Sequence, residues 1–480
     1  KRWDYFPSIG FAWRLSNEKW FANHNGSFWK YPIGSFIQDN VSEVKLKFSY
    51  GQSGNTEIPA YKSIAQAGIS SYVFGGSSLT TGSSITQLAN EELTWETTRE
   101  IDYGLSLGLF NNRVTIEADY YDKETSNLLL EVPLPSTSGY QTAFKNLGLV
   151  SNKGYEFAVN ANMIENRDFN WNMNFNISFN ENKVLDLGDA DEFFVTAIGD
   201  NLTNNDYIVK VGESLGSIYG LDFDGVYTYD DFVEFEGMTE SEAASKLYAD
   251  AAAVGDDGTA MWWSLNQYTL KDGVPLNALV TNGTYRPGMT KFKDVNGDGV
   301  INDDDRHIIG NTLPKHFGGM SQNLNFMNFD LSIQTSWSYG NDVYNKTLKK
   351  GIQTSVPWRN KFAIVNDRWS PENPMGKFTA FSAGSSGDVN SAAYDSYIED
   401  GSYFRIGNIT LGFTLPKDLI RKIGVKNLRI YASMDNVHIW TKYSGWDPDV
   451  SVGNNQLTPG LDVDSYPRSR TFRTGIVARF

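Results

Sequence analysis

The residues best suited to bind a metal ion lie together in one stretch, DVNGDGVINDDD at 294–305. It matches D-x-[DN]-x-[DN]-G, the front of a calcium-binding loop. Hard oxygen ligands at this spacing suit Ca²⁺ better than Mg²⁺, which prefers fewer protein ligands and more water. The predicted ligands are the side chains of Asp294, Asn296, Asp298, Asn302 and Asp305 and the carbonyl of Val300. We expect Ca²⁺ to have a structural role here; the alternative is an Asp/Asn/Gly turn that binds nothing.

A second motif, Gly212-Glu213-Ser214-Leu215-Gly216, fits the G-x-S-x-G pattern of serine hydrolases. That chemistry needs a strand–turn–helix context with a His and an acid nearby. The flanking residues are typical of strands on both sides, and the chain has only four His. We therefore expect a glycine-containing turn and a protein that is not an enzyme. An outer-membrane hydrolase barrel is kept as the alternative in the enzyme class.

Tryptophan rings in long loops are candidate contacts for a substrate, because sugars and peptides stack on exposed indole faces. The candidates are Trp262, Trp263 and Trp358. Trp369 and Trp446 lie in similar loops. The competing interpretation is that these rings pack the loops together, since large aromatic side chains are mostly used in packing.

Alternating side chains predict the elements that carry these loops. The segment 169–180, FNWNMNFNISFN, has apolar residues at odd positions and Asn or Ser at even positions. Period two over this length indicates a strand. An uncharged amide face suits the inside of a water-filled barrel whose other face meets lipid. A half-exposed strand of a soluble sandwich is the alternative.

The alternation recurs, and we expect roughly a dozen to fourteen strands in all. Further strands are predicted at 6–14, 44–50, 101–109, 113–121, 149–163, 207–227, 317–327, 329–337, 403–413, 428–440 and 471–480. Long loops are predicted at 51–98, 185–206, 228–290, 341–402 and 443–470. Aromatic residues near predicted strand ends, such as Tyr120, Tyr121, Trp440 and Tyr443, would form girdles at two membrane interfaces. Short turns on one side and long loops on the other are typical of an all-β transmembrane antiparallel β-barrel.

Composition narrows the class of protein. The 480 residues include no Cys, and the net charge is −16. Disulfide frameworks and thiolate metal sites are therefore excluded, and nucleic acid is not an expected partner. An aromatic fraction of 14% with 44 Gly and 15 Pro favours an all-β chain. Inside the loop 228–290, Thr239 and Glu242 form a capping-box pattern that predicts a short helix.

Four blocks of sequence, in this order along the chain, resemble a known family. They are YFPSIG at 5–10 with VKLKFSYG at 44–51, NKGYEF at 152–157, DVNGDGVI at 294–301, and FRIGNITLG at 404–412 with DNV at 435–437. Together they resemble the C-terminal half of SusC/RagA-family TonB-dependent outer-membrane transporters of the Bacteroidetes type. The resemblance implies the C-terminal part of a bacterial outer-membrane barrel of about 22 strands with a plugged lumen.

The resemblance also implies a function and partners. Such a barrel imports oligosaccharides actively and works with a SusD-like surface lipoprotein. Because family members are longer, residues 1–480 are expected to be only the C-terminal portion of the barrel. The plug domain and the part that contacts TonB would then belong to an N-terminal half absent from this chain. The alternatives are a RagA-type peptide importer and a secreted carbohydrate-binding β-sandwich protein.

Overall fold

The computed structural model describes residues 3–22, 39–56, 63–74, 78–90, 92–133, 136–140, 142–197, 205–254, 268–279, 285–353, 360–380, 393–420, 424–452 and 455–480. No helix among these residues is long and apolar enough to cross a bilayer.

Eleven strands form one antiparallel sheet in which every strand pairs with its neighbours in chain order. They are β1 (Ser8–Arg14), β2 (Val41–Asn55), β3 (Glu96–Leu109), β4 (Val114–Ser126), β5 (Leu149–Glu165), β6 (Phe169–Asp186), β7 (His316–Phe326), β8 (Phe329–Tyr339), β9 (Tyr403–Thr414), β10 (Asn427–Thr441) and β11 (Thr471–Arg479). This meander confirms the predicted all-β class. Most of its strands are longer than the usual five or six residues, as barrel strands are.

Strand register gives the sheet one polar and one apolar face. In β6 the predicted alternation holds, and Asn174 lies opposite Asn160 of β5 and Ser321 of β7. The next position, Phe175, lies opposite Val159 and Met320. Because successive side chains of a strand point to opposite faces, polar residues lie opposite polar residues at Asn174 and apolar residues lie opposite apolar residues at Phe175.

A β-bulge in β9 changes which positions face which side. Leu411 and Ile409 share the apolar face with Leu331 and Ile333 of β8. The register then shifts between Gln334 and Thr335, so that the even-numbered Ile406 and Phe404 of β9 continue the apolar face. The extra residue of a bulge reverses the parity of the strand beyond it.

The connections differ in length at the two edges of the sheet. At one edge the connections are the short turns 110–113, 166–168 and 327–328 and the longer segments 15–40 and 415–426. At the other edge the connections are 56–95, 127–148, 187–315, 340–402 and 442–470. This asymmetry agrees with the predicted barrel layout.

Three of the long connections fold together into a loop domain, made of the described residues of 187–315, 340–402 and 442–470. Its core includes Tyr207, Tyr227, Trp369 and Leu461, all fully buried. Trp369 packs edge-on against Tyr229 at 5.4 Å between ring centroids. The loops therefore have a hydrophobic core of their own and are not independent excursions from the sheet.

The loop domain also buries charge. Lys346 Nζ lies 3.2 Å from Asp206 Oδ2, and both side chains are fully buried. Asp206 Oδ2 additionally accepts a hydrogen bond from the Ala197 backbone amide. A buried ion pair offsets the cost of desolvation only when further hydrogen bonds complete it.

The remaining elements are short, apart from one helix of 15 residues. In the described part of the chain the helices are α1 (Lys19–Ala22), α2 (Glu240–Val254), α3 (Lys346–Ile352) and α4 (Lys417–Ile420). The 3₁₀ turns are Leu15–Asn17, Ser136–Ser138, Tyr229–Asp231, Val233–Phe235, Asp303–Asp305, Ala363–Asp367 and Asp395–Tyr397. The minor strands are Gln66–Phe74, Ser78–Gln87, Leu129–Pro133, Thr142–Asn146, Glu192–Val195, Tyr207–Lys210, Ser217–Leu221, Phe223–Val226, Leu276–Asn277, Thr290–Phe292, Val300–Ile301, His307–Asn311, Asp342–Asn345, Ala393–Tyr394, Ile398–Asp400 and Leu461–Asp462.

Helix α2 forms where the capping box predicts it. The Thr239 backbone amide donates to Glu242 Oε2 at 2.8 Å, and the Glu242 amide donates to Thr239 Oγ1 at 3.4 Å. The prediction of one long strand over 207–227 is wrong. Gly212 and Gly216, both with positive φ, let the chain turn after the first strand, and the segment becomes three short strands of the loop domain.

Candidate functional site

On the polar face, residues 170–182 of β6 and 319–325 of β7 form a wall of amides and hydroxyls without charge. Asn172 Nδ2 donates to Asn162 Oδ1 at 2.6 Å. Asn174 Nδ2 donates to Asn172 Oδ1 at 3.3 Å and to Ser321 Oγ at 3.1 Å. The ladder extends onto β8, where Ser332 Oγ donates to Asn323 Oδ1 at 2.9 Å. Each amide both donates and accepts, so the wall can hydrogen-bond neutral polar solutes without changing charge.

Ion pairs flank this wall on both sides of the sheet. On the β2–β4 side, Lys47 Nζ lies 3.0 Å from Asp119 Oδ1 and 3.8 Å from Glu117 Oε2. On the β8–β10 side, Arg429 Nε donates to Asp330 Oδ1 at 2.8 Å. The polar face therefore presents a neutral centre on β6 and β7 with charged residues on the strands at either side, including Glu156 of β5 opposite Ser178.

The apolar face carries a continuous row of rings across eight strands. Each member lies directly opposite the next in register. In order they are Phe11, Phe48, Tyr103, Tyr120, Tyr155, Phe179, His316 and Tyr339. We call this set the aromatic row. Neighbouring ring centroids lie 5.2 Å apart for Phe48 and Tyr103 and 5.0 Å apart for His316 and Tyr339. Trp and Tyr enriched in such bands mark a bilayer interface.

Charge appears on the apolar face only beyond the aromatic row in β3 to β5. On the short-turn side of the row, β5 presents Phe157, Val159 and Ala161. On the long-loop side, Lys153 Nζ pairs with Asp122 Oδ2 at 2.9 Å. Arg99 Nη2 likewise pairs with Glu124 Oε2 at 2.8 Å. An uncharged band ending in aromatic rings and then in ion pairs is the profile of a strand surface that crosses hydrocarbon.

Comparison with known families agrees with this profile. A family model described as "TonB dependent receptor-like, beta-barrel" matches residues 1–282. The chain belongs to this family. Residues 1–480 are thus part of a TonB-dependent receptor of the bacterial outer membrane, as the sequence blocks predict.

The relatives of this receptor are longer than the chain. TonB-dependent receptor P3 of Formosa agariphila is 32% identical over all of this chain, which covers 42% of that protein. TonB-dependent receptor SusC of Bacteroides thetaiotaomicron is 26% identical, with 40% of its length covered. The solved structure of the RagAB peptide transporter superposes with a TM-score of 0.68 at 20% identity, over 98% of this chain and 43% of that one. The chain therefore spans about two fifths of these proteins.

Family membership assigns the two faces of the receptor sheet. The apolar face with its aromatic row lies toward lipid, and the polar face lines the lumen. The alternative of a secreted β-sandwich is wrong, because eleven strands in one sheet belong to a barrel family. These relatives are receptors and transporters, which are not enzymes.

Two of the predicted girdle residues lie elsewhere. Tyr121 lies on the lumen face, where its hydroxyl donates to Asn180 Oδ1 at 2.9 Å. Tyr443 is buried in the loop domain and donates to Asp462 Oδ2 at 2.5 Å. Tyr121 follows the lipid-facing Tyr120 directly and therefore points to the opposite face. Tyr443 follows the end of β10 at Thr441 and already belongs to the connection 442–470.

In the predicted calcium loop, side chains accept hydrogen bonds from backbone amides of the same segment and hold it in a compact turn. Asp294 Oδ1 accepts from the Gly297 amide at 2.6 Å, and Asp294 Oδ2 accepts from the Gly299 amide at 2.8 Å. Gly297 and Gly299 both have positive φ, which the sharp turn requires. Asn296 Oδ1 and Asp298 Oδ1 accept from amides two residues ahead, at 2.9 and 2.8 Å.

Asp305 joins the two ends of this loop. Its buried carboxylate accepts from the Val295 amide at 2.9 Å through Oδ1 and from the Asn302 amide at 2.8 Å through Oδ2. A carboxylate has about four lone-pair sites, so capacity for a cation remains. Among the described residues no three His, Cys, Asp or Glu side chains are grouped as a metal site. The proposed set also uses Asn296, Asn302 and the Val300 carbonyl, and Ca²⁺ binding stays a prediction.

The three candidate tryptophans, Trp262, Trp263 and Trp358, lie outside the described residues. Of the two similar residues, Trp369 is fully buried in the loop-domain core, as the packing interpretation expects. Trp446 is 71% exposed and remains available for contact with a solute.

Ser214 has the surroundings of a turn residue. It lies between the strands Tyr207–Lys210 and Ser217–Leu221, and its Oγ accepts a hydrogen bond from Asn311 Nδ2 at 2.6 Å. Asn311 cannot act as a general base in place of His. The absence of a strand–turn–helix context agrees with the predicted turn.

Proposed function

We propose that this chain is the barrel part of an active importer of oligosaccharides in the outer membrane. The observation that supports the proposal is the uncharged amide and hydroxyl wall on the lumen face of β6 and β7. Sugars present many neutral hydroxyls, which pair with Asn amides as donors and as acceptors. Because each hydrogen bond to the wall is weak, a solute can bind there and then pass from one set of hydrogen bonds to the next along the lumen.

The proposal includes partners outside this chain. A SusD-like surface lipoprotein would cover the long-loop side, and an N-terminal plug would fill the lumen and couple to TonB. Residues 1–480 span two fifths of the relatives' length, which leaves room for such domains in the whole protein. The name SusC of one relative agrees with a SusD-like partner.

Import of peptides is the second candidate function. One structural neighbour is titled a peptide transporter, although its likeness extends to the fold alone. The ion pairs that flank the amide wall, such as Lys47 with Asp119 and Arg429 with Asp330, could exchange partners with the charged termini of a peptide. A neutral glycan has no charged groups that could replace a partner in these ion pairs.

The proposal can be tested by measuring solute uptake. The cells have the native gene deleted and carry either the unaltered gene or a variant. A triple variant with Leu at 172, 174 and 176 in place of Asn172, Asn174 and Asn176 loses three side-chain amides, and each lost hydrogen bond to the solute is worth about 1 kcal/mol of binding free energy. Oligosaccharide uptake should therefore fall at least about tenfold. The matched control replaces the lipid-facing Met173, Phe175 and Ile177 with Leu and should retain uptake. Retained oligosaccharide uptake in the Asn variant would reject the amide wall as the path. Uptake of peptides but not of oligosaccharides by the unaltered protein would establish the second candidate.

A further inference from the structure

Phe317 is an apolar ring on a polar surface. It lies on the lumen face of β7, directly opposite Ser178 of β6 and Ser338 of β8. In the described strands β5 to β8 no other lumen-facing position holds an aromatic side chain. Phe317 is nevertheless 45% exposed. An aromatic ring left in water forgoes the free energy of burial, so packing does not explain its place here.

The other lumen-facing aromatic residues of the eleven strands each have a cation over the ring, contributed from two residues away in the same strand. The pairs are Lys123 with Tyr121, Arg405 with Tyr403 and Arg429 with Tyr431, at 4.9, 5.3 and 5.1 Å from the ring centroid. Two residues from Phe317 in either direction are Gly319, which has no side chain, and Lys315, whose side chain lies against Gly340. In the described part of the chain no cation therefore covers the Phe317 ring.

Hydrogen-bonding groups with unused capacity surround this ring. Asn176 of β6 and Ser336 of β8 lie opposite Gly319, beside the two serines that face Phe317. Asn176 Oδ1 accepts from the Gly319 amide at 3.0 Å, but Asn176 Nδ2 donates to no described residue. The hydroxyls of Ser178 and Ser336 likewise make no hydrogen bond within the described ranges. The amides farther along the wall, by contrast, bond to one another.

A sugar unit matches this combination of an uncovered ring and free polar groups. Many pyranoses present C–H groups on one face, and the partial positive charge of these groups is attracted to the negative face of an aromatic ring. Side chains directly or diagonally opposite Phe317 lie about 4.5 to 8 Å from it, where the hydroxyls at the edge of a stacked sugar can reach them.

We propose that Phe317 is a stacking subsite for one sugar unit of the transported oligosaccharide, and that Asn176, Ser178 and Ser336 bind the hydroxyls of that unit. The subsite lies at the loop-domain end of the lumen, because Phe317 is the second residue of β7 after the connection 187–315. A solute arriving from the loop side reaches the ring before the amides farther along the wall. The inference rests on the proposed function and names the residue that holds the sugar ring.

Uptake kinetics of the whole receptor test the subsite, in cells whose native gene is deleted. The solutes are four neutral hexasaccharides: malto-, cello-, manno- and xylohexaose. For a hexasaccharide that the unaltered receptor imports, Phe317→Leu should raise the half-saturating concentration about fivefold, because Leu remains apolar but lacks the aromatic face. Phe317→Trp should restore it, since indole offers such a face. The matched control is Phe326→Leu, the same change on the lipid face of the same strand, which should leave the half-saturating concentration unchanged.

Heat-modifiable migration on a gel verifies that each variant is folded. Equal half-saturating concentrations for the unaltered receptor and Phe317→Leu would overturn the subsite, while the import itself would still support the proposed function. A lower maximal rate at an unchanged half-saturating concentration would also overturn it, because the ring would then act on the structure of the receptor and not on the solute. Import of none of the four hexasaccharides by the unaltered receptor would count against the proposed function, and the subsite would fall with it.

Discussion

Trp337 of β8 stacks on Phe175 of β6 across the strand between them. Their ring centroids lie 5.5 Å apart with planes at 25°. Gly318 of β7 lies directly opposite Trp337, and a Cβ placed on it would lie 2.4 Å from Trp337 Cζ2. The missing side chain lets one lipid-facing ring cover β7 and reach the next strand. A glycine inside a strand often marks such a close approach.

Replacing Gly318 with Ala should weaken this packing. The new Cβ would also lie 2.3 Å from the Asn176 backbone oxygen, so both the ring and the strand must move. Overpacking of this kind costs about 1 to 3 kcal/mol of unfolding free energy. Urea unfolding in detergent, followed by loss of heat-modifiable migration, measures the change. Gly407→Ala is the control, because its Cβ would meet only the Gln334 oxygen at 3.7 Å; equal effects of the two changes would contradict the packing argument.

The buried ion pair between Arg405 of β9 and Asp447 anchors the last long connection to the lumen wall. Arg405 Nη2 lies 2.5 Å from Asp447 Oδ1, and Arg468 Nε lies 3.3 Å from Asp447 Oδ2. Asp447→Asn should cost about 3 kcal/mol, because it leaves a buried guanidinium without its counter-charge. Hydrogen exchange of residues 442–470 should rise accordingly.

The control for this prediction is Asp464, an exposed acid in the same connection that pairs with Lys350 of α3. Lys350 Nζ lies 2.7 Å from Asp464 Oδ2, and Asp464 is 67% exposed. Asp464→Asn should therefore cost no more than about 1 kcal/mol. Asn, like Asp, tolerates the positive φ of 51° at this position, so the substitution adds no backbone strain. An effect as large as that of Asp447→Asn would mean that burial does not determine the strength of these pairs.

Calcium should stabilise the loop 294–305. Addition of Ca²⁺ to the chelator-treated receptor should slow proteolysis of the loop domain, and Asp298→Ala should abolish the effect because it removes a ligand oxygen. Asp304→Ala, a neighbouring acid outside the predicted ligand set, is the control and should respond to Ca²⁺ as the unaltered protein does. Identical proteolysis of the unaltered receptor with Ca²⁺ and with chelator would show that the turn functions without metal.

The contact between Tyr248 of α2 and Glu372 predicts a pH dependence of the loop domain. The Tyr248 hydroxyl donates to Glu372 Oε1. Burial and this hydrogen bond raise the pKa of Tyr248 from 10.0 to about 12. The contact therefore stabilises the fold fully below pH 10 and less as the pH rises through about 12.

The acid limb has the opposite sign. The hydrogen bond from Tyr248 lowers the pKa of Glu372, so its contribution is present above the ordinary carboxyl range and is lost as the pH falls through the lowered value. Tyr248→Phe should flatten both limbs in a urea titration followed by tryptophan fluorescence. Unchanged limbs in that variant would assign the pH dependence to other groups.

Much of the barrel could be predicted from the sequence, because a strand between lipid and water repeats every two residues. Phe169 to Asn180 reveals both faces of β6 directly. The loop domain could not be predicted in this way. Tyr227 and Trp369 are buried among residues distant in sequence, and no period relates them. The calcium motif is visible in the sequence because its predicted oxygen ligands lie within twelve consecutive residues.

The bulge in β9 indicates where single residues can be inserted into, or deleted from, the strands of this receptor. Elsewhere in the strand, adding or deleting one residue would turn lumen-facing side chains toward lipid, and lipid-facing side chains toward the lumen, from that point onward. The bulge already contains one extra residue, because Ile406 and Ile409 are an odd number of positions apart and yet both face lipid. Insertions and deletions among related genes should therefore accumulate in the connections, and within strands should occur in pairs or at existing bulges.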